Sequence, residues 1–589
     1  MNHWADQLIV VVYFLLSLLV SLYFYRRAGR DTQEFFLSGR RLPWWIAGTA
    51  MVATTFAADT PLAVTELVAR KGVAGNWLWW NMVAGSVLTV FFFAKLWRRA
   101  GILTDVEFIE LRYSGSPAAF LRGFRALYLG IFMNCVIMGW VNVALVDILT
   151  IVFGVSQVHV IYAVILCMLV VGIYSAVSGQ WGVAVTDFFQ FFLAMAGCIV
   201  LALIVINLPQ VGGIGGLKKA LPGHVFSFFP VLSMKPAQAV SGIMALSFSA
   251  FVAHILVQWW ASWYPGAEPG GGGYVAQKMM AAKDERHSLL ASLWFSIAMF
   301  ALRPWPWILV ALASLVLYPD LPAESKRAGY IMAMRDYLPP GLLGMMVAAF
   351  LAAYMSTIST HLNWGSSYII NDFYKRFMVR GAPERHYVTA SRVSTLFLVL
   401  VSSLMIFIIQ SISGAWAFII ECGAGLGLVL ILRWFWWRIN AWSEIAAMIV
   451  PFAGYGLNRF AFGLRFPESL FFIVALTTAA WVLATFLTPP TEEDTLRRFY
   501  LRVRPGGPGW EPVRGRCGAD FPPDPLTRQA VNWLLGMGLV YLSLFSIGDI
   551  ILARYGRGYL MAAGAVMLFI VINRRLKKEQ YLGAEETGK

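Results

Sequence analysis

Long apolar runs, separated by short segments rich in arginine and lysine, dominate the pattern along this chain. The runs Leu8–Tyr25, Ile161–Val177 and Phe471–Leu487 are each close to the ~20 residues that a helix needs to cross ~30 Å of hydrocarbon. Runs of this kind predict membrane-spanning helices, and the chain contains about fifteen of them. They lie near residues 6–26, 45–67, 76–97, 124–152, 159–178, 183–207, 239–264, 288–318, 341–371, 388–411, 414–437, 441–460, 467–487, 529–552 and 557–574. The pattern therefore predicts an all-α integral membrane protein.

The composition argues against a large soluble core. Of the 589 residues, 59% are hydrophobic and only 13% are charged, whereas a soluble domain has about 25% charged residues. The net charge of +15 at pH 7 fits basic loops beside anionic lipid headgroups better than nucleic-acid binding. The first apolar run has no basic leader and is followed by Arg26 and Arg27, so we expect a retained helix rather than a cleaved signal peptide.

Basic residues are concentrated in alternate loops, which indicates the orientation in the membrane. With the N-terminus outside, the basic segments within 26–41, 95–125, 278–286, 375–385 and 574–578 all fall on the inner side. Lys278, Lys283 and Arg286 are among these expected inner-loop charges, while the pairs Arg70–Lys71 and Lys218–Lys219 are exceptions on the outer side. We predict a multi-pass protein of the cell (inner) membrane, with its N-terminus outside and its C-terminus cytoplasmic.

Two of the predicted spans carry residues that break helices. The second contains Thr54–Pro61, with three hydroxyls, an acid and a proline in mid-span, and the seventh ends in Trp259–Pro265 followed by the glycine run Gly270–Gly273. An interrupted helix exposes backbone carbonyls and amides, which is tolerated only where they face protein or a cavity. Because the two spans are five apart, the pattern favours two inverted five-helix repeats with discontinuous core helices 1 and 6. Two unrelated kinks are the alternative.

The chain then divides into six parts. We predict an extra N-terminal helix with a basic cytoplasmic loop, a first and a second five-helix repeat, accessory helices, a cytoplasmic connector, and C-terminal helices with a basic tail; in order these cover residues 1–42, 43–207, 239–437, 441–487, 488–528 and 529–589. The connector is the only long polar stretch, and we expect a surface linker with one short helix at Glu492–Tyr500.

Several segments, taken in order, resemble the sodium:solute symporter family, whose members have the leucine-transporter-like inverted-repeat fold. The resemblance runs from about Asp31 to Trp437. The matching segments are Phe35–Leu42; Gly101–Thr104 with Glu107, Phe108, Arg112 and Tyr113; Thr186–Asp187 with Gln190; Tyr274 with Gln277–Lys278 and Ala281–Lys283; and Ala353, Ser356 and Thr357 with Asp372–Lys375.

The resemblance implies one sodium ion held between core helices 1 and 8. Carried over by motif, its ligands are the backbone carbonyls of Ala53, Phe56 and Ala353 and the hydroxyls of Ser356 and Thr357. Neutral oxygens suit weak, reversible binding of a hard monovalent cation. The alternative for the two hydroxyls is ordinary bonding to the carbonyl one turn earlier in their own helix.

Charged groups inside spans are costly and point to function. The resemblance places Asp187 of core helix 5 beside the sodium path, and the alternative is an interfacial carboxylate at a helix start. Asp59 follows the break in core helix 1 and suits a second sodium, a proton, a cationic solute group or a helix cap. Arg303 suits an anionic solute group or a structural pair with Asp147 or Glu421.

The solute site implied by the fold lies among core helices 1, 2, 3, 6 and 10. The candidates are polar, charged or aromatic residues on these helices and on core helix 7: Asp59, Thr60, Trp79, Asn81, Gln258, Trp259, Trp260, Arg303 and Glu421. An interfacial aromatic belt is the alternative for the tryptophans. Thr60 and Trp79 stand where the sugar-transporting members carry Gln and Glu, which argues against a sugar site of that type.

These features predict a sodium-coupled secondary transporter that imports a small polar organic solute by alternating access, with the sodium ion as its cofactor. The alternative is a sodium-dependent sensor or a partner-docking homologue without robust transport. An enzyme is not expected, because the sequence has no HExxH, Gly-x-Ser-x-Gly or P-loop motif and its five cysteines form no close pair.

Overall fold

A computed structural model describes most of the chain. The described residues are 3–28, 30–230, 232–233, 239–240, 243–244, 246–262, 273–322, 325–409, 423–518 and 525–586. Fifteen helices among them are long or strongly apolar, and we label them in chain order. They are α1 Trp4–Ala28, α2 Trp44–Thr55, α3 Thr60–Lys71, α4 Val73–Ala100, α5 Gly115–Phe153, α6 Gln157–Ile206, α7 Phe248–Ala261, α8 Glu285–Leu317, α9 Leu342–Met378, α10 Glu384–Phe407, α11 Leu426–Phe435, α12 Ala441–Phe462, α13 Glu468–Leu487, α14 Leu526–Ile551 and α15 Tyr555–Glu586.

Shorter elements connect these helices. The short helices are Thr32–Leu37, Phe108–Arg112, Gly213–Ala220, Tyr274–Ala281, Ala328–Tyr337, Glu493–Val503 and Glu511–Cys517, with 3₁₀ turns at Ser38–Arg40, Gly223–Phe226 and Pro508–Trp510. Four two-residue strands precede α7: β1 Leu232–Ser233 pairs in parallel with β4 Leu246–Ser247, and β2 Ala239–Val240 pairs antiparallel with β3 Ile243–Met244.

The predicted all-α membrane class is confirmed. Eleven helices in the described part of the chain are long and apolar enough to cross a membrane, namely all the labelled ones except α2, α3, α7 and α11. Those four are each too short to cross alone, since a helix rises 1.5 Å per residue. The count of about fifteen spans is therefore not confirmed.

The predicted break in core helix 1 is present. Helix α2 ends at Thr55 and α3 begins at Thr60, and Phe56 between them has φ −93° and ψ 71°. Pro61 lies in the first turn of α3, where its missing N–H costs nothing. The predicted span 45–67 is thus divided into α2 and α3. The predicted spans 159–178 and 183–207 together form α6, which is interrupted between them at Gly179 (φ 57°, ψ −163°).

The seventh predicted span is shorter than expected. Its helix α7 begins at Phe248 rather than near residue 239, because the Ser247 hydroxyl caps it by accepting from the Ala250 amide at 3.1 Å. The chain resumes as the Tyr274–Ala281 helix, and the predicted break between Trp263 and Gly272 lies outside the described residues.

The polar connector is packed rather than free. Its helix Glu493–Val503 covers the predicted short helix, and a second helix follows at Glu511–Cys517. The Trp510 indole donates to the Trp434 carbonyl at 2.7 Å, and the ring of Phe499 lies against that of Phe108. This differs from the expected surface linker, because the aromatic side chains of the connector bury against α11 and the loop before α5.

The centre of the molecule is built around α6 and α9, which pack along each other. Helix α2 lies against α6, α8 and α9, and the Tyr274–Ala281 helix lies against α2. The broken end of α2 is therefore enclosed by the helices that carry the predicted ion and solute residues.

Candidate functional site

The end of α2 meets the middle of α9 at the hydroxyl of Thr357. Thr357 of α9 donates to the backbone carbonyl of Thr54 at 2.8 Å and to that of Ala353, one turn earlier in its own helix, at 3.1 Å. The Thr54 carbonyl is accessible because α2 ends one residue later, so no amide of a continuing helix competes for it there. Thr357 thus joins the two helices between which the sodium ion was expected.

All five expected sodium ligands are buried near this contact, but they do not all face it. The exposed fractions of Ala53, Phe56, Ala353, Ser356 and Thr357 are 3% or less. The Ala53 carbonyl accepts the Phe56 amide at 3.0 Å, and the Phe56 ring packs against Trp307. The α2 carbonyl that touches α9 in this structure is that of Thr54.

Ser356 faces the other way, toward α6. Its hydroxyl donates to Asp187 Oδ1 at 2.7 Å, and the Asp187 side chain is completely buried. An interfacial carboxylate at a helix start is therefore wrong for Asp187, since its side chain is completely buried and lies about two turns beyond the interruption at Gly179. The carboxylate lies inside the protein, next to the α2–α9 contact.

Lys278 is the charged partner of Asp187. Its ammonium donates to Asp187 Oδ2 at 3.1 Å, to the Ala50 carbonyl at 2.8 Å and to the Thr360 hydroxyl at 3.2 Å, and it also donates to the Thr54 hydroxyl. Its side chain is completely buried. The expectation of an inner-loop charge is wrong for Lys278, because the Tyr274–Ala281 helix packs inward against α2.

The residues around Lys278 indicate its burial, although the pattern of basic loops had suggested an inner-loop position. Lys278 is followed by Met279, Met280 and Ala281 and preceded by Val275 and Ala276, an apolar stretch unlike the other basic segments. A lone lysine in such a stretch predicts a buried partner. Its partner, however, is more than ninety residues away in the chain.

A cavity of about 170 Å³ opens beside the broken helix. Five of the predicted site residues line it: Asp59, Thr60, Trp79, Arg303 and Thr357. The other walls are mainly apolar or aromatic and come from α3, α4, α5, α8, α9 and the Tyr274–Ala281 helix. They include Leu67, Leu78, Met82, Ile137, Trp140, Val141, Tyr274, Met299 and His361.

Asp59 is buried in the wall of this cavity. Its exposed fraction is 3%, and its Oδ1 atom has no hydrogen-bond partner among the described residues. Although Asp59 stands at the N-cap position of α3, its side chain makes no capping hydrogen bond. A helix cap is therefore wrong for Asp59, and its carboxylate is available to the cavity.

Arg303 is held against the end of α2. Its Nη1 donates to the Thr55 hydroxyl at 2.7 Å and to the Val52 carbonyl at 3.3 Å, and the guanidinium lies over the Trp307 ring. The suggested pair with Asp147 is wrong, because Asp147 binds Arg327 at 3.0 Å instead. Glu421, the other suggested partner and a predicted solute residue, lies outside the described residues.

Four other predicted solute residues do not line the cavity. The Asn81 amide donates to the carbonyls of Trp77 and Leu78 in its own helix, at 2.8 and 2.9 Å. Gln258 donates to the Leu78 carbonyl at 3.4 Å. Trp259 packs near Trp533 of α14, and the Trp260 indole bonds to the carbonyl one turn earlier. These bonds and packing contacts hold the four side chains away from the cavity.

Away from the cavity, the buried carboxylate of Glu444 holds α5, α11 and α12 together. Glu444 accepts from Tyr113 at 2.6 Å, from Arg433 at 2.9 Å and from Arg125 at 3.1 Å. Arg433 and Glu444 have completely buried side chains. Two arginines around one carboxylate make a cluster in which each member depends on the others.

A second cluster joins the loop before α5 to the end of α9. Arg122 pairs with Asp372 at 2.7 Å, and Glu110 pairs with Arg122 at 2.6 Å and Arg376 at 2.9 Å. Burial raises the pKa of Glu110, but hydrogen bonds from the two guanidiniums outweigh burial and leave the pKa below its ordinary value. The motif residue Asp372 thus belongs to these ion pairs, while Tyr113 bonds to Glu444 and Arg112 donates to the backbone carbonyls of Arg433, Trp436 and Trp437.

Comparison with known proteins identifies the family of the chain. A model of the sodium:solute symporter family matches residues 35–451. Sodium/glucose cotransporter 1 of Oryctolagus cuniculus is 23% identical over 507 residues, covering 78% of this chain and 73% of that protein. The sodium/glucose cotransporter of Vibrio parahaemolyticus is 23% identical over 522 residues, covering 83% and 92%.

The fold is shared with a solved transporter. A Na⁺-coupled sialic acid symporter, in a substrate-bound outward-open state, superimposes with a TM-score of 0.66 at 19% identity. The match covers 83% of this chain and 99% of that one. With the family model spanning most of the chain, the protein belongs to the sodium:solute symporter family.

Proposed function

We propose that the protein imports a small polar organic solute across the cell membrane, driven by inward sodium flow, with its N-terminus outside and its C-terminus cytoplasmic. Sodium is the coupling ion of the family to which it belongs. The observation that carries the proposal is the contact of the Thr357 hydroxyl with the Thr54 carbonyl. It brings neutral oxygens of α2 and α9 together in the protein interior, at a helix break.

The sodium ion would be bound by the carbonyls of Ala53, Phe56 and Ala353 and the hydroxyls of Ser356 and Thr357. Sodium needs lone pairs directed at it, and Ser356 can supply them because its own proton is donated to Asp187. Asp187 then acts beside the ion rather than on it, because it accepts the Ser356 proton and so leaves the Ser356 lone pairs directed toward the ion. This gives Asp187 a role on the sodium path.

Coupling follows from a shared residue. Thr357 belongs to the α2–α9 contact and also lines the solute cavity, together with Thr54 and Thr55. A sodium ion bound at Thr357 would hold the end of α2 against α9 and thereby order one wall of the cavity. Loss of the ion toward the cytoplasm would loosen that wall, which releases the solute by alternating access.

The cavity supports a solute with both donor and acceptor groups. Asp59 offers a buried carboxylate, and Arg303 brings a positive charge to the same cavity. We propose that an amine or hydroxyl of the solute faces Asp59 and that Thr60 and Trp79 contact its body. The relatives named above transport glucose by name. This site instead places a carboxylate and a guanidinium in one mainly apolar cavity, which favours a solute with an amine facing Asp59 and an acceptor group facing Arg303.

Uptake into proteoliposomes tests the proposal. Solutes are first screened by the thermal unfolding of the purified protein in sodium chloride and in potassium chloride. A solute that stabilises the protein only in sodium is then used, radiolabelled, for uptake measurements. The variant Ser356→Ala with Thr357→Ala should lose sodium-dependent uptake while its yield persists.

The control replaces two hydroxyls that bond within their own helix, in Ser391→Ala with Thr395→Ala of α10. This variant should keep sodium-dependent uptake. If the double variant of α9 keeps uptake at the normal sodium affinity, the assigned ion site is wrong. If solutes bind with sodium but none accumulates, the sensor alternative replaces transport.

A further inference from the structure

The ammonium of Lys278 occupies a position that has the composition of a cation site. Three of its four oxygen neighbours lie at 2.8, 3.1 and 3.2 Å: the Ala50 carbonyl, Asp187 Oδ2 and the Thr360 hydroxyl. The fourth is the Thr54 hydroxyl. One carbonyl, one carboxylate and two hydroxyls are oxygens of the kinds that bind hard cations such as sodium.

The four oxygens also belong together without the lysine. The hydroxyls of Thr54 and Thr360 are 3.0 Å apart, and Thr360 lies 3.4 Å from Asp187 Oδ2. They come from α2, α6 and α9, whereas Lys278 reaches them from the Tyr274–Ala281 helix. The lysine ammonium is therefore a cation that is bound by oxygens from the other three helices.

This position adjoins the proposed sodium site. Ser356 connects the two, because its hydroxyl binds the other oxygen of Asp187. Thr54 connects them as well, with its carbonyl at Thr357 and its hydroxyl at Lys278. Two neighbouring positions for cations thus share one carboxylate, and a covalently attached cation holds one of them.

We propose that Lys278 is a tethered cation that fills a second cation site, formed by Ala50, Thr54, Asp187 and Thr360, so that the protein binds a single sodium ion. The inference rests on the proposed function and adds its sodium count. The physical reason is charge balance, since a buried carboxylate needs a cation beside it. When the ammonium supplies that charge, a second sodium ion has neither space nor net attraction there.

Removing the ammonium should therefore admit a sodium ion. In Lys278→Gln, the four oxygens remain and Asp187 is left buried without its partner. Sodium then becomes the available cation of suitable size, and its binding restores the charge balance. Lys278→Arg keeps a fixed positive charge, and Lys278→Gln with Asp187→Asn removes both charges; neither should admit a second ion.

The experiment counts sodium ions bound to the purified full-length protein. Equilibrium binding of ²²Na⁺ is measured without solute, with potassium chloride holding the ionic strength constant. The wild type should bind one ion per protein and Lys278→Gln two, while the arginine variant and the double variant should bind one. Lys283→Gln, at an exposed lysine just beyond the same helix, is the matched control and should bind one.

Each outcome decides a separate point. A wild type that binds no sodium overturns the proposed function itself. A wild type that binds two ions, or a folded Lys278→Gln that still binds one, overturns only the tethered-cation inference. Lys278→Gln should also be stabilised against heating by sodium more than the wild type is, so failure to obtain it folded in high sodium contradicts the inference as well.

Discussion

Replacing Thr357 with valine removes one oxygen from the proposed sodium site while keeping the shape of the side chain. The hydroxyl of Thr357 touches the Thr54 carbonyl at 2.8 Å and the Ala353 carbonyl at 3.1 Å. Valine has the same branching and nearly the same volume, so the packing of α2 against α9 should change little. The substitution therefore tests the oxygen rather than the fold.

The size of the effect follows from the role of the hydroxyl. An interaction of a neutral polar group with a charged one contributes about 1.5–3 kcal/mol. Each 1.4 kcal/mol is a factor of ten in affinity, so Thr357→Val should weaken sodium binding by roughly 10-fold to 150-fold. If the hydroxyl served only its own helix, its loss would cost about 1 kcal/mol of stability and leave sodium affinity unchanged.

Sodium titrations of thermal stability and of ²²Na⁺ binding separate these outcomes. The matched control is Thr395→Val, since Thr395 is also buried and donates to the Ser391 carbonyl one turn earlier at 2.9 Å. It should lower stability slightly and keep the wild-type sodium affinity. A folded Thr357→Val protein with wild-type sodium affinity would refute the assignment of Thr357 as a sodium ligand.

Three further predictions concern the carboxylates. Asp59→Asn should abolish stabilisation by an amine-bearing solute while sodium binding persists, because the buried carboxylate faces the cavity rather than the α2–α9 contact; binding assays with each ligand check this. Glu444→Gln should lower the free energy of unfolding by about 3–5 kcal/mol, because Arg125 and Arg433 lose the carboxylate between them, as measured by denaturant or thermal unfolding. The ion pairs of Glu110 lower its pKa, so they stabilise the folded protein at pH values above the ordinary pKa of 4.5. This stability is lost as the pH falls through the lowered pKa. Glu110→Gln should therefore flatten the acid dependence of stability, as measured by thermal unfolding across that pH range.

The controls for these three predictions are exposed or conservative changes. Asp320→Asn, on an exposed turn, should leave solute binding unchanged, and Asp494→Asn, also exposed, should leave stability within about 0.5 kcal/mol. A variant of Asp59 that loses sodium instead of solute would make it an ion ligand. If Glu444→Gln is as stable as the wild type, the role given to the Glu444 ion pairs is wrong. If Glu110→Gln keeps the acid sensitivity of the wild type, the role given to the Glu110 ion pairs is wrong.

The sequence by itself determined the class of the protein and the place of its principal break. Apolar runs of membrane length can only become helices in lipid, because the backbone must bond to itself there. Pro61, Asp59 and the three threonines of Thr54–Thr60 predicted where α2 would end, and it ends there. These features depend on neighbours in the chain, so local chemistry was enough to locate them.

Only the tertiary structure decided how the site is assembled. Thr357 contacts Thr54, and Ser356 contacts Asp187. Lys278 also reaches Asp187, from the helix Tyr274–Ala281, although its charge had suggested a position in an inner loop. Asn81, Gln258, Trp259 and Trp260 have suitable chemistry, yet their own bonds and packing hold them away from the cavity. A helix periodicity states which residues share a face, but the rotation and depth of each helix depend on contacts between residues far apart in the chain. Those long-range contacts put a lysine ammonium inside the bundle, beside the oxygens of the proposed sodium site.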